Sequence, residues 1–421
     1  MPFVIAAWFG ATAETDVLFF AYALALFVSN VLAPVLENLS VPFIAERRGR
    51  GQSESSFVTS LALVALVGAA ATSALLAAAS LPLLPHVTAF PPESLTLASR
   101  LLLQVTPLVA LTALSSVFSG ALNSTGRFYL TASSPFIRAA VNLLMIWLLH
   151  SSLGVSAVIV GYVVGEASRA LVLLVACVRS HLLSLDGRPA DVRRDVTEFL
   201  RVAAYQSLGM VSIGLVPLVD RTMASWLGHG SVSLLEYSER LYQIPLAIMG
   251  TGVVVTSLSR WSAILYTKGS APLAADVRRV VAAVLRIGLV LSMAFAAASP
   301  LIVDAVYGSS LSYEENHLVL ATLLAYLLGV TPFVVGQLHN RALLALKQTR
   351  FLLSVTLLAN CLNVALNLLM MRALGLAGLA LSSSTTALLV AFVLKRRFAS
   401  ATAGATISPS RDAARREAAS A

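Results

Sequence analysis

The stretch VNLLMIWLLHSSLGVSAVIVG (141–161) returns 225 residues later as LNLLMMRALGLAGLALSSS (366–384). Both carry Asn-Leu-Leu-Met, then a Leu-Gly turn, then a run of small and apolar residues. Upstream, LLQVTPLVALTALSSVFSGALNSTGRF (102–128) parallels LLAYLLGVTPFVVGQLHNRALLALKQTRF (323–351). Each has a Thr-Pro in mid-helix, Thr106-Pro107 and Thr331-Pro332, and each ends in Arg-Phe. A weaker echo links TDVLFFAYAL (15–24) with SVSLLEYSER (231–240). Six helices repeat with the same orientation. Parallel repeats of this kind, related by an axis along the membrane normal, are a transporter signature and imply two lobes.

Composition agrees. Of the 421 residues 58% are hydrophobic and 12% charged, against about 25% charged in soluble domains. The expected class is therefore an all-α polytopic membrane protein. A helix needs about 20 apolar residues to cross the bilayer. Runs of that kind lie at 17–43, 56–85, 99–123, 130–149, 156–179, 199–227, 232–259, 279–304, 318–344, 351–371 and 375–395. MPFVIAAWFG at the start is too short to span and has no basic region of a signal peptide. It reads as the outer half of a truncated first helix, which makes about 12 transmembrane segments in two six-helix lobes. The expected organisation is an N-terminal lobe at 1–180, a cytoplasmic linker at 181–198, a C-terminal lobe at 199–397 and a disordered cytoplasmic tail at 398–421.

Basic residues crowd alternate loops: Arg47, Arg48 and Arg50; Arg127; Arg179, Arg188, Arg193 and Arg194; Arg260, Lys268, Arg278 and Arg279; Lys347 and Arg350; Lys395, Arg396 and Arg397. The positive-inside rule puts these loops and the C-terminus in the cytoplasm. The net charge of +9 is thus a topology signal, and no nucleic acid partner is expected. Cys177 and Cys361 both sit in apolar runs and read as packing residues. No metal-binding spacing and no nucleotide-binding loop occurs, so no cofactor is expected. If transport is driven, an ion gradient or the membrane potential is the source.

Several ionisable groups lie inside the spans, where each costs from about 2.5 kcal/mol upward and normally faces a partner or a cavity. In LLEYSERLYQIP (234–245), Glu236 and Arg240 stand four apart on one helix face, with Glu239 beside them. Arg240 lies roughly 12 Å from the outer end of its helix. Its planar donor fork suits a diphosphate, and the glutamates keep it from being an unpaired buried charge. A structural ion pair pinning two helices is the alternative. Asp220 and Arg221 flank the same region in the preceding span, with Asp220 placed to pair with Arg240 across the hairpin. Glu166 and Arg169, three apart, read as a local pair, with a role in the lumen as the alternative. Arg138 could meet a phosphate entering from the cytoplasm, or snorkel, and Glu37 could partner it. Asn142, Asn363 and Asn367 read as helix–helix hydrogen-bonding residues.

Five stretches resemble the lipid II flippases, the MurJ/MviN family within the multidrug/oligosaccharidyl-lipid/polysaccharide exporter superfamily. They are FGATAETDVLFFAYALALFVSNVL, SVPFIAERRG, SGALNSTGRFYLTASSPFIRAAVNL, MASWLGHGSVSLLEYSERLYQIPLAIMGTGV and HNRALLALKQTRF. The resemblance implies a two-lobe helical transporter of the bacterial inner membrane. Its substrate would be an undecaprenyl-pyrophosphate-linked glycan, its surroundings membrane lipids, and its candidate partners cell-wall synthesis proteins. It also implies that Arg240 matches an essential arginine and that Asp16 matches an acidic position before the second helix. Where the family has arginines in its first two helices, this chain has Ala7 and Trp8, and Ser29–Asn30. A flippase for another lipid-linked oligosaccharide, a degenerate non-transporting scaffold, a membrane enzyme and a cation-coupled drug exporter are the competing readings.

Overall fold

The computed structural model describes residues 2–184 and 189–404. The first six helices are α1 (Pro2–Phe9), α2 (Ala13–Gly49), α3 (Glu54–Val87), α4 (Pro92–Ser124), α5 (Phe128–Leu153) and α6 (Ser156–Arg179). There follow α7 (Pro189–Ala224), one 3-10 turn (Ser225–Leu227), α8 (Ser231–Lys268), α9 (Ser270–Tyr307), α10 (Tyr313–Ala345), α11 (Thr349–Leu374) and α12 (Leu376–Gly404). Each of the eleven expected spans coincides with one helix; 199–227 takes in the 3-10 turn, and 375–395 starts one residue before α12. Among the described residues, nine helices are long and apolar enough to cross a membrane.

The helices outrun their apolar runs because their ends are capped by polar residues beyond them. Thr12 and Thr15 cap α2 reciprocally: the Thr12 amide donates to Thr15 Oγ1 at 2.8 Å, and the Thr15 amide to Thr12 Oγ1 at 3.3 Å. Ser312 and Glu315 do the same for α10. Such boxes satisfy amides that no helical carbonyl reaches. The resulting 37-residue α2 is about 55 Å long at 1.5 Å per residue, well beyond a hydrocarbon core of about 30 Å.

The chain divides into two compact units, Met1–Glu236 and Tyr237–Ala421. In the first, α4 packs on α2, α3 and α6; α5 packs on α6; and α7 packs on α2 and α3. Small residues set the close approaches. A Cβ added at Gly120 would lie 2.6 Å from Ser40 Cβ, and one at Gly165 would lie 2.7 Å from the Arg138 carbonyl oxygen. The expected linker at 181–198 falls inside this unit. Its residues from Pro189 on are the first turns of α7. They are strapped by a buried ion pair between Arg47 and Asp195 and by the Phe43–Phe57–Phe199 cluster. Residues 185–188 lie outside the described residues. So do 405–421 of the expected tail, while Phe398–Gly404 completes α12.

In the second unit α10 packs on α9 and α12, and α11 on α12. Ser384 Oγ donates to the Ala325 carbonyl at 2.7 Å beside Gly329. Asn363 Nδ2 donates to Ser383 Oγ at 3.3 Å, and Ser382 Oγ donates to Asn367 Oδ1. The asparagines thus join α11 to α12.

The sequence repeat is visible in the local geometry of each unit. Helices α5 and α11 both have 26 residues and both end at a left-handed glycine, Gly154 (φ 55°) and Gly375 (φ 57°). The turns before them also match. Gly126 (φ 77°) follows α4, and Lys347 (φ 57°) follows α10, each in a turn closed by i,i−3 and i,i−5 backbone bonds. A side chain held left-handed costs about 1–2 kcal/mol that glycine avoids. Lys347→Gly is therefore expected to stabilise the second unit by about 1 kcal/mol, read as a raised unfolding midpoint in detergent. A lowered midpoint would mean that the lysine side chain contributes more than its backbone costs.

Candidate substrate site

Two charged constellations lie within the spans of the first unit, and a third begins the second. The first joins α5 to α6. Glu166 is fully buried, and both its oxygens are taken by arginines from different helices. Arg138 Nη1 reaches Oε2 at 3.2 Å, and Arg169 Nη1 reaches Oε1 at 3.2 Å. Arg169 also donates from Nε to Ser134 Oγ at 3.1 Å. The two arginine side chains are not equally enclosed: Arg169 is 12% exposed and Arg138 is 42% exposed. Gly161 and Gly165 make this possible, because only bare backbone lets α6 lie against Asn142 and the Arg138 carbonyl.

These arginines line a polar cavity of about 390 Å³ walled by α2, α4, α5 and α6. Across it lie Ser29, Asn30 and Glu37 of α2. Glu37 Oε1 accepts from Asn123 Nδ2 at 3.1 Å. The partner expected for Glu37 was Arg138; Arg138 instead bonds Glu166. Opposite the Ser29–Asn30 wall, where the resemblance notes absent arginines, the structure supplies two arginines from α5 and α6. Arg169, read from the sequence mainly as the local partner of Glu166, lines this cavity.

The second constellation is the α7–α8 hairpin. Asp220, Arg221 and Glu236 are all buried, and Arg221 pairs with Glu236 while its Nη1 donates to the Pro217 carbonyl at 2.9 Å. Glu236, expected to hold Arg240, pairs with an arginine on α7 as well as standing four positions before Arg240 on its own helix. In the second unit, Arg240 and Glu239 are half-buried on α8, and Gln243 bridges them. Arg240 Nη1 donates to Gln243 Oε1 at 3.2 Å, and Gln243 Nε2 donates to Glu239 Oε1 at 3.4 Å.

Asp16 belongs to none of the three. Its carboxylate accepts from the Gly230 amide at 2.6 Å, the Ser233 amide at 2.8 Å and Ser233 Oγ at 2.7 Å. A carboxylate on free amides at a helix start is a cap, favoured by the helix dipole. Asp16 of α2 therefore fixes the N-terminus of α8 within the first unit, a structural task that the sequence did not separate from binding.

In the second unit a cavity of about 800 Å³ between α9, α10 and α12 is apolar apart from Ser292, Thr331 and Lys395. Its one cationic side chain is Lys395. Among the described residues no cluster of His, Cys, Asp and Glu could hold a metal ion.

Long apolar helices with charges gathered in a few interior clusters define a multi-pass membrane transporter, and solved structures share the fold. The chain is similar to "Lipid II flippase MurJ, inward closed conformation", with TM-score 0.78 and 18% identity over 96% of this chain and 87% of that one. It is also similar to "Inward-facing conformation of a multidrug resistance MATE family transporter of the MOP superfamily", with TM-score 0.81 and 14% identity over 95% and 94%. The family model for lipid II flippase MurJ matches residues 5–410, and the chain belongs to that family. Among curated relatives, "Probable lipid II flippase MurJ" of Thermotoga maritima is 24% identical over 91% of this chain and 78% of its own length. The protein of the same description from Vibrio cholerae is 25% identical over 93% and 78%. The family is one of flippases rather than of catalytic enzymes.

Proposed function

We propose that this chain moves lipid II, a polyprenyl-diphosphate-linked glycan, from the inner to the outer leaflet of the bacterial inner membrane. The observation that carries the reading is the family match from residue 5 to 410, which takes in all the charged constellations. The chain is a multi-pass protein of that membrane, and the basic set of loops supports a cytoplasmic C-terminus. A diphosphate cannot cross hydrocarbon without replacement of its water. Arg240 is the donor assigned to it, with Glu239 and Gln243 fixing its direction. The Arg221–Glu236 pair ties α7 to the start of α8. Alternating access of two lobes would present the site to each leaflet in turn.

Complementation tests this reading. Bacteria depleted of their own lipid II flippase should grow when this chain is expressed and inserted. Failure to grow despite confirmed insertion would contradict lipid II as the substrate and favour another lipid-linked oligosaccharide.

A further inference from the structure

We infer that the cavity of the first unit is a glycosyl-phosphate subsite: a phosphoryl group sits on Arg138 and Arg169, and the attached sugar lies against Tyr22, Glu37 and Asn38. The inference rests on the flippase reading for the choice of a sugar phosphate; the chemistry of the cavity stands by itself.

Four observations carry it. First, two guanidinium groups share one carboxylate, so the trio of Arg138, Glu166 and Arg169 keeps one unit of positive charge at the cavity wall. Each arginine has five N–H donors, more than Glu166 and Ser134 consume. Arg138, 42% exposed, lines the cavity with donors to spare. Second, the other wall is not cationic. Glu37 and Asn38 offer carboxylate and amide groups that accept from and donate to hydroxyls, while Asn123 holds Glu37 in place. Third, Tyr22 and Tyr162 stack with centroids 4.2 Å apart and both line the cavity, a flat amphipathic surface of the kind that covers a sugar face. Fourth, Ser29 lines the cavity and is 6% exposed, and its hydroxyl has no hydrogen-bond partner among the described residues. A buried hydroxyl left unsatisfied is costly unless a ligand or water meets it.

Shape and charge narrow the ligand. At about 390 Å³ the cavity is at the small end of the range for small-molecule sites, about 300–1,000 Å³. It has more room than one phosphoryl group fills, and two arginines at one end repel an organic cation. An anionic end joined to a neutral, hydroxyl-bonding end matches one sugar with its phosphate.

The test uses the full chain in lipid nanodiscs. Asn30, which lines the cavity and is exposed, is replaced in an Asn30→Cys, Cys361→Ser protein, and buried Cys177 is left in place. The rate at which an anionic methanethiosulfonate modifies the introduced thiol is measured with N-acetylglucosamine 1-phosphate, N-acetylglucosamine or inorganic phosphate added. Sugar phosphate is expected to slow labelling severalfold, at lower concentration than either fragment. Adding Arg169→Gln should weaken that protection about tenfold, the loss of one charge-assisted contact. Because Arg169→Gln could also unsettle Glu166, a second variant, Glu37→Gln, is read in parallel. It should leave phosphate protection intact and bring sugar phosphate down to the level of phosphate. Equal protection by phosphate and sugar phosphate in the parent would overturn the sugar wall. Protection indifferent to Arg169→Gln, or no protection by any of the three, would overturn the subsite. No transport is involved, so failed growth rescue with intact protection would sink the flippase reading alone.

Discussion

Glu166→Gln is expected to destabilise the first unit by about 3–5 kcal/mol, the cost of removing one partner from a buried ion pair. Glu166 is fully buried, and two arginines from α5 and α6 converge on it. Most of the loss should come through Arg169, which is 12% exposed, since water screens the 42% exposed Arg138. The measurement is the unfolding midpoint of purified protein in detergent, alongside protease resistance of the α5–α6 segment. The double variant Glu166→Gln, Arg169→Gln should recover part of the loss, because it no longer leaves that arginine buried without its acid. An unchanged midpoint in Glu166→Gln would mean that the α5–α6 contact is held by Gly161 and Gly165 packing alone.

Asp16→Ala should show the second large effect, about 3 kcal/mol, because hydrogen bonds to a charged group contribute roughly 1.5–3 kcal/mol each and water reaching the freed donors offsets part of their combined loss. Three donors from the start of α8 end on this carboxylate. The outcome separates two roles. A cap predicts lower stability with Asp16→Ala and partial recovery with Asp16→Asn, whose carbonyl oxygen can still accept. A residue that only touches substrate would leave the midpoint where it was and abolish transport.

How far the sequence reached can be argued from these same residues. The spans were legible because apolar length is nearly sufficient in a bilayer. The Leu-Gly and Arg-Phe turns of the repeat returned as paired left-handed positions, Gly154 with Gly375 and Gly126 with Lys347. Helix ends were less legible. The hydropathy of 17–43 gives no sign that α2 runs from Ala13 to Gly49, since the ends are set by Thr12 and by residues outside the apolar run. The role of 189–198 was hidden for a related reason: Arg47 and Asp195 stabilise that helical start from 148 positions apart.

The charged residues show the limit most plainly. Spacing within one helix made Glu166 and Arg169 a local pair, and that pair exists. Nothing in the spacing told that Arg138, 28 positions earlier, shares the same carboxylate. Glu236 was read with Arg240 on the same four-residue logic, and nothing in that spacing told that Arg221 on α7 pairs with it. Asp16 was placed in the site by resemblance, and nothing along its own helix told that it also caps the start of α8. In each case the deciding partner comes from another helix, which periodicity along one helix does not register.

The most direct test of the central claim measures where lipid II stands in the membrane. Bacteria depleted of their own flippase would express this chain, its Arg240→Ala variant or its Arg240→Lys variant, with insertion checked for each. A membrane-impermeant reagent added to spheroplasts then reports the fraction of lipid II in the outer leaflet. The parent should restore outer-leaflet lipid II, Arg240→Ala should leave it inside, and Arg240→Lys should fall between, keeping the charge without the fork. Equal restoration by all three would contradict the assignment of the diphosphate to Arg240. No restoration by the parent would contradict lipid II transport itself.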